Sequence, residues 1–104
     1  MANYTVHDLT DPQKLNQEYP NVKVISPYYW DNVEVGHYVK IRREGETFWV
    51  QVREVTDMTV TAEVYYELSL NPYQKGDMLT FKKCFQFDIV DPYTLNLIPR
   101  VEEN

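Results

Sequence analysis

The chain has 104 residues, the size of one small domain, with 43% apolar and 25% charged residues, which excludes wholesale disorder. Its net charge of −6 argues against a general binder of phosphate backbones, which needs a basic footprint. The single cysteine, Cys84, excludes an internal disulfide, and no apolar run approaches the ~20 residues needed to span a membrane.

Residues 1–35 read as an irregular N-terminal arm with three prolines, Pro12, Pro20 and Pro27, and no sustained period. Asp11-Pro12 can start one helical turn through Asn16, with Asp11 as N-cap and Pro12 at the first helical position. Pro20 would end it. The arm also carries Ile25, Tyr28, Tyr29 and Trp30, whose exposure would cost about 25 cal/mol per Å² of apolar surface. It is therefore expected to pack on the rest of the chain or on a partner.

From Gly36 to Val90 the pattern changes to short segments with alternating apolar and polar side chains, the period of half-buried antiparallel strands. Strands are expected at Tyr38–Arg42, Thr47–Val55, Thr59–Leu68, Met78–Phe81 and Phe85–Ile89. Turns are expected at Gly45, at Thr56-Asp57-Met58 and over Ser69–Asp77. After Asp91-Pro92 a short strand at Leu95–Ile98 precedes an acidic end. Five short strands bury their inner faces by curling, so the expected fold is all-β, a small SH3-like five-stranded antiparallel barrel over residues 36–90. Residues 91–104 form a C-terminal tail.

The alternation fixes the register, because a one-residue slip would turn every apolar side chain outward. Val39 and Ile41, then Phe48, Val50 and Val52, then Val60, Ala62, Val64 and Tyr66 form the inward sets. Ile41 then faces Phe48, Val39 faces Val50, Val52 faces Ala62 and Val50 faces Val64. On the outer face this register puts Lys40 beside Trp49 and Trp49 beside Tyr65, with Tyr38 and Arg53 nearby. A cation beside Trp and Tyr is the composition of a contact surface. Three occupants are open: the arm, an external partner, or a small ligand. Tyr28, Tyr29 and Trp30 would contribute to this surface or cover it.

Signals for chemistry are poor. Three glycines, at 36, 45 and 76, give no phosphate-cradling loop. His7, His37 and Cys84 lie far apart and lack the spacing of metal ligands. His37, after Gly36, reads as a solvated turn residue. Lys82 and Lys83 could depress the pKa of Cys84, but a lone cysteine among phenylalanines reads as packing. No nucleophile sits in an elbow motif, and Glu44 and Glu46 read as solvated loop charges. No enzyme activity, cofactor or metal is expected.

The succession FWVQV, TAEVYYELSLNPY, KGDMLTF and FDIVD resembles the YegJ-like domain family of bacteria, over Val35 to Pro92. Phe48-Trp49-Val50 and Lys75-Gly76-Asp77 carry the resemblance; Ala62 stands where a glycine is common, and the arm has no counterpart. Gly36-His37-Tyr38-Val39 is similar, more weakly, to small proteins of large DNA viruses. These resemblances imply an SH3-like barrel and supply no site residues. The expectation is a non-catalytic protein–protein interaction or structural module, possible as a component of a viral assembly. Its partner would be another protein or further copies of itself. A nucleic-acid or modified-peptide reader using Arg42, Arg43 and Arg53 is the alternative. The compartment expected is cytoplasmic or otherwise intracellular, virion-associated if the protein is viral.

Overall fold

A computed structural model of the chain describes residues 2–93 and the backbone of residues 96 and 97. Its strands are β1 (Asn3–Thr5), β2 (Tyr38–Arg43), β3 (Glu46–Val55), β4 (Thr59–Val64), β5 (Met78–Lys82), β6 (Asp88–Asp91) and β7 (Asn96–Leu97). They form one mixed sheet in the order β1-β5-β4-β3-β2-β6-β7. The fold is all-β, but the expected five-stranded barrel is not what the ladders build. Among the described residues no ladder joins the two ends of the sheet, and the arm adds a parallel edge strand, β1 against β5.

The central meander follows from side-chain alternation. Val39, Ile41, Phe48, Val50, Val52, Val60, Ala62 and Val64 are each at most 1% exposed, and they pair as Ile41–Phe48, Val39–Val50, Val50–Val64 and Val52–Ala62. The β2–β3 hairpin closes through Glu44 and Gly45, both at positive φ (53° and 81°). That is the two-residue geometry whose twist matches the flanking strands, and glycine adopts it without steric cost. A bulge between Val52 and Glu54 places the extra residue, Arg53, where the ladder shifts.

β3 is longer than either neighbour, and its two halves serve different partners. Residues 46–51 pair with β2 and residues 50–55 with β4. The third strand ends at Val64, earlier than the Leu68 expected, so Tyr66 is not an inward residue. It is 37% exposed, and its hydroxyl accepts the Trp49 backbone N–H at 2.9 Å, on the side of β3 where β4 has ended. The last barrel strand likewise moves, from Phe85–Ile89 to Asp88–Asp91. Residues 83–85 form a 3-10 turn instead, with Cys84 half-buried within it. In the tail the expected strand is met at Asn96–Leu97; residues 95 and 98 lie outside the described residues.

The arm supplies the layer over the inner face. Val6, Leu9, Ile25 and Val33 join the same apolar cluster as the sheet's inward residues. Irregular backbone is tolerated there because its polar groups find partners. Val6 N–H donates to Thr80 O, Thr10 N–H to Arg42 O and Ile25 N–H to Phe87 O, each at 2.8 Å, and Gly36 N–H donates to Val52 O at 2.9 Å. Helix α1 (Pro12–Glu18) starts as the sequence indicates, with the Asp11 carboxylate accepting the N–H groups of Gln13 and Lys14 and Pro12 in the first turn. A 3-10 turn at Pro27–Asn32 carries Tyr28, Tyr29 and Trp30. No helix among the described residues is long and apolar enough to cross a membrane.

Candidate interaction surface

The outer face of the sheet brings together most of the residues singled out from the register. Lys40 pairs with Trp49 across β2 and β3, and the Lys40 Nζ lies 5.7 Å from the Trp49 ring centroid. Tyr38, Trp49, Tyr65 and Val90 line a shallow depression of about 230 Å³. The Tyr38 and Tyr65 rings sit 5.1 Å apart and tilted, and the Tyr65 and Tyr66 rings 5.0 Å apart and edge-on, the latter a geometry that aromatic quadrupoles favour. Tyr65 lies just beyond the end of β4, with no ladder of its own, and packs by ring contacts with Tyr38 and Tyr66. Burial, and then the neighbouring Tyr66 and Tyr38 hydroxyls, raise the Tyr65 pKa above its ordinary value.

Arg53 does not join this group as a free cation. It is turned along the same face to Glu63, with Nε 3.0 Å from Oε1. Lys40 is anchored in turn by Asp88 at 3.1 Å, a carboxylate whose side chain is only 7% exposed. The arm aromatics go elsewhere. Tyr29 and Trp30 pack half-buried against the core, Tyr28 is 78% exposed, and none of the three lines the depression. The arm thus buries Val6, Leu9, Ile25 and Val33 on the inner face and contributes no residue to the lining of the Trp49 depression.

A polar network that the sequence did not announce holds the loop beside this face. The Glu46 carboxylate accepts the backbone N–H groups of Ser69 (2.7 Å), Leu70 (2.7 Å) and Asn71 (3.1 Å), and also Asn71 Nδ2 (3.0 Å). Three successive N–H groups converging on one anion make a backbone nest, and here the occupant is internal. Glu46 is thus no solvated loop charge. Arg43 continues the network, with two guanidinium nitrogens on the Asp8 carboxylate (3.0 and 2.9 Å), a third on Asn71 Oδ1 (2.9 Å), and its carbon 5.4 Å from the Tyr73 ring centroid. Asp77, buried, accepts the N–H groups of Gln74 and Ala2 and so pins the start of β1. The only sequence sign of all this was the clustering of turn residues over 69–77.

These contacts set an acid limit. The Arg43 hydrogen bond holds Asp8 below its ordinary pKa, the Ser69 N–H does the same for Glu46, and the Gln74 and Ala2 N–H groups for Asp77. Carboxyls whose folded pKa is depressed stabilise the fold above their unfolded values, about 3.9 for Asp and 4.3 for Glu, and that stability is lost as pH falls through the folded values. The thermal midpoint should therefore vary little with these groups between neutrality and about pH 5 and fall steeply below about pH 4. Glu46→Gln should flatten part of that fall, read by circular dichroism across the acid range.

The remaining candidates resolve as structure. His37 is buried, not solvated: Gly36 turns the chain so that His37 Nδ1 accepts the Glu34 N–H at 3.1 Å. Lys83 is also buried, with its ammonium on Asp31 at 2.8 Å. Among the described residues no three His, Cys, Asp or Glu side chains are placed to hold a metal ion. The chain matches no protein-family model, and no curated protein or solved structure shows significant similarity to it.

Proposed function

We propose that this chain is a non-catalytic protein-interaction or structural module whose contact surface is the outer aromatic face formed by Tyr38, Trp49 and Tyr65, working within a larger assembly. The observation that carries this reading is the convergence of three rings from separate segments around a depression that the arm leaves unlined. Tyr and Trp combine large apolar area with a polar tip and few rotatable bonds, which suits them to anchor a partner. Lys40, held by Asp88 and stacked toward Trp49, sets the polar edge of the surface. The nucleic-acid alternative loses two of its three cations, because Arg43 and Arg53 are paired with Asp8 and Glu63.

Affinity capture from native extract with the intact chain, Trp49→Ala and Tyr65→Ala tests the reading. A protein retained by the intact chain and lost from both variants is expected. Both variants should remain folded, at a cost of about 1 kcal/mol, the usual size for a single substitution outside the core. Undiminished capture by both would remove the aromatic face from the account.

A further inference from the structure

Beside the aromatic depression runs a second, larger concavity of about 560 Å³, between α1 and the outer face of β2. Leu15, Tyr19, Val22 and Phe87 give it apolar walls, while Lys23, Lys40 and Arg42 line it together with Thr47. Three of the chain's ten Lys and Arg residues thus face one cleft, in a protein of net charge −6, and no carboxylate lines it. Their charges are not equally balanced. Lys40 is paired with Asp88. Arg42 spends one nitrogen on a neutral acceptor, Thr47 Oγ1 at 3.0 Å. Lys23 is exposed. Neither Lys23 nor Arg42 makes an ion pair among the described residues. Lys40 links the two, since it lines the cleft and its ammonium lies 5.7 Å from the ring centroid of Trp49, which lines the depression. The two are therefore neighbours on the outer face, apolar at Trp49 and cationic toward Lys23.

We infer that the segment bound at this surface is an acidic peptide of a partner protein, seating an apolar side chain on Tyr38, Trp49 and Tyr65 and a carboxylate between Lys23 and Arg42. This rests on the aromatic face being a contact surface, and adds which partner chemistry it selects. A basic segment would meet Lys23 and Arg42 as like charges, and a neutral one would leave them without counterions. The planar guanidinium of Arg42 suits a carboxylate through paired N–H donors. The chain's overall negative charge would repel an acidic partner at long range, so the local cations must act within about a Debye length, ~10 Å at 0.1 M salt.

The test uses three short synthetic peptides with one shared Leu-Phe centre, flanked by Glu, Gln or Lys, titrated into the intact chain and followed by nuclear magnetic resonance. The Glu peptide should bind roughly three- to tenfold more tightly than the Gln peptide at low salt, with the Lys peptide weakest, a range set by partly exposed ion pairs. Lys23→Glu, at an exposed site outside the sheet, should erase or reverse that order without unfolding the chain; Arg42→Gln should reduce it. The Trp49 indole signal should move with all three peptides. Equal affinities, or a preference for Lys, overturn the acidic assignment while leaving the aromatic surface standing. Failure of every peptide to shift Trp49 overturns both.

Discussion

Ile25→Ala should cost about 2–5 kcal/mol of unfolding free energy, the range for truncating a fully buried aliphatic side chain that leaves a cavity. Ile25 sits in a proline-rich stretch without secondary structure, yet it is 1% exposed and belongs to the same apolar cluster as Val50 and Leu79. Small domains have about 5–15 kcal/mol in total, so this change alone would leave the protein marginal. Tyr28→Ala, three residues on and 78% exposed, should cost about 0.5 kcal/mol or less. Urea denaturation of the two variants separates an arm built into the core from one laid over it. Equal small effects would show that the arm is peripheral.

Glu46→Ala should be the most damaging single change among the polar groups, at about 1–3 kcal/mol, because one carboxylate accepts four hydrogen bonds. Charge matters as well as shape, since the converging N–H groups favour the ionised form. Glu46→Gln should therefore fall between wild type and Ala. The loss should be local. Amide exchange is expected to accelerate at residues 69–71 and then across Tyr65 and Tyr66, while β2 and the inward residues of β3 and β4 keep their protection. Uniform acceleration over the whole sheet would contradict a network that holds only the loop.

The sheet was readable where one physical rule dominated. Alternation with a buried face fixes register, so the pairs Ile41–Phe48, Lys40–Trp49 and Val52–Ala62 follow from the order of apolar and polar residues. The N-terminus of α1 was equally plain, because Asp followed by Pro at the start of a helix has a local cause. What could not be read depends on distant partners. Tyr66 continues the alternation of β4, but the strand ends at Val64 and the hydroxyl turns to Trp49 instead. Glu46 looks like any turn carboxylate until a loop more than twenty residues away delivers three N–H groups to it. The parallel pairing of Asn3–Thr5 with β5 has no periodic signal, being three residues long and exposed throughout. Of the proposed surface, Tyr38, Lys40, Trp49 and Tyr65 were legible as one face; Val90 entered only once β6 was placed beside β2.

The most direct test of the aromatic contact surface is photo-crosslinking in native extract, with a photoreactive phenylalanine analogue at position 65 or, as a control, at position 28. Both positions hold tyrosines, and both are exposed, at 37% and 78%. A specific adduct from position 65, absent from position 28 and suppressed by excess unlabelled chain but not by the Trp49→Ala chain, is the predicted result. Adducts of the same pattern from both positions, or from position 28 alone, would contradict the assignment of the outer face as the surface that meets a partner.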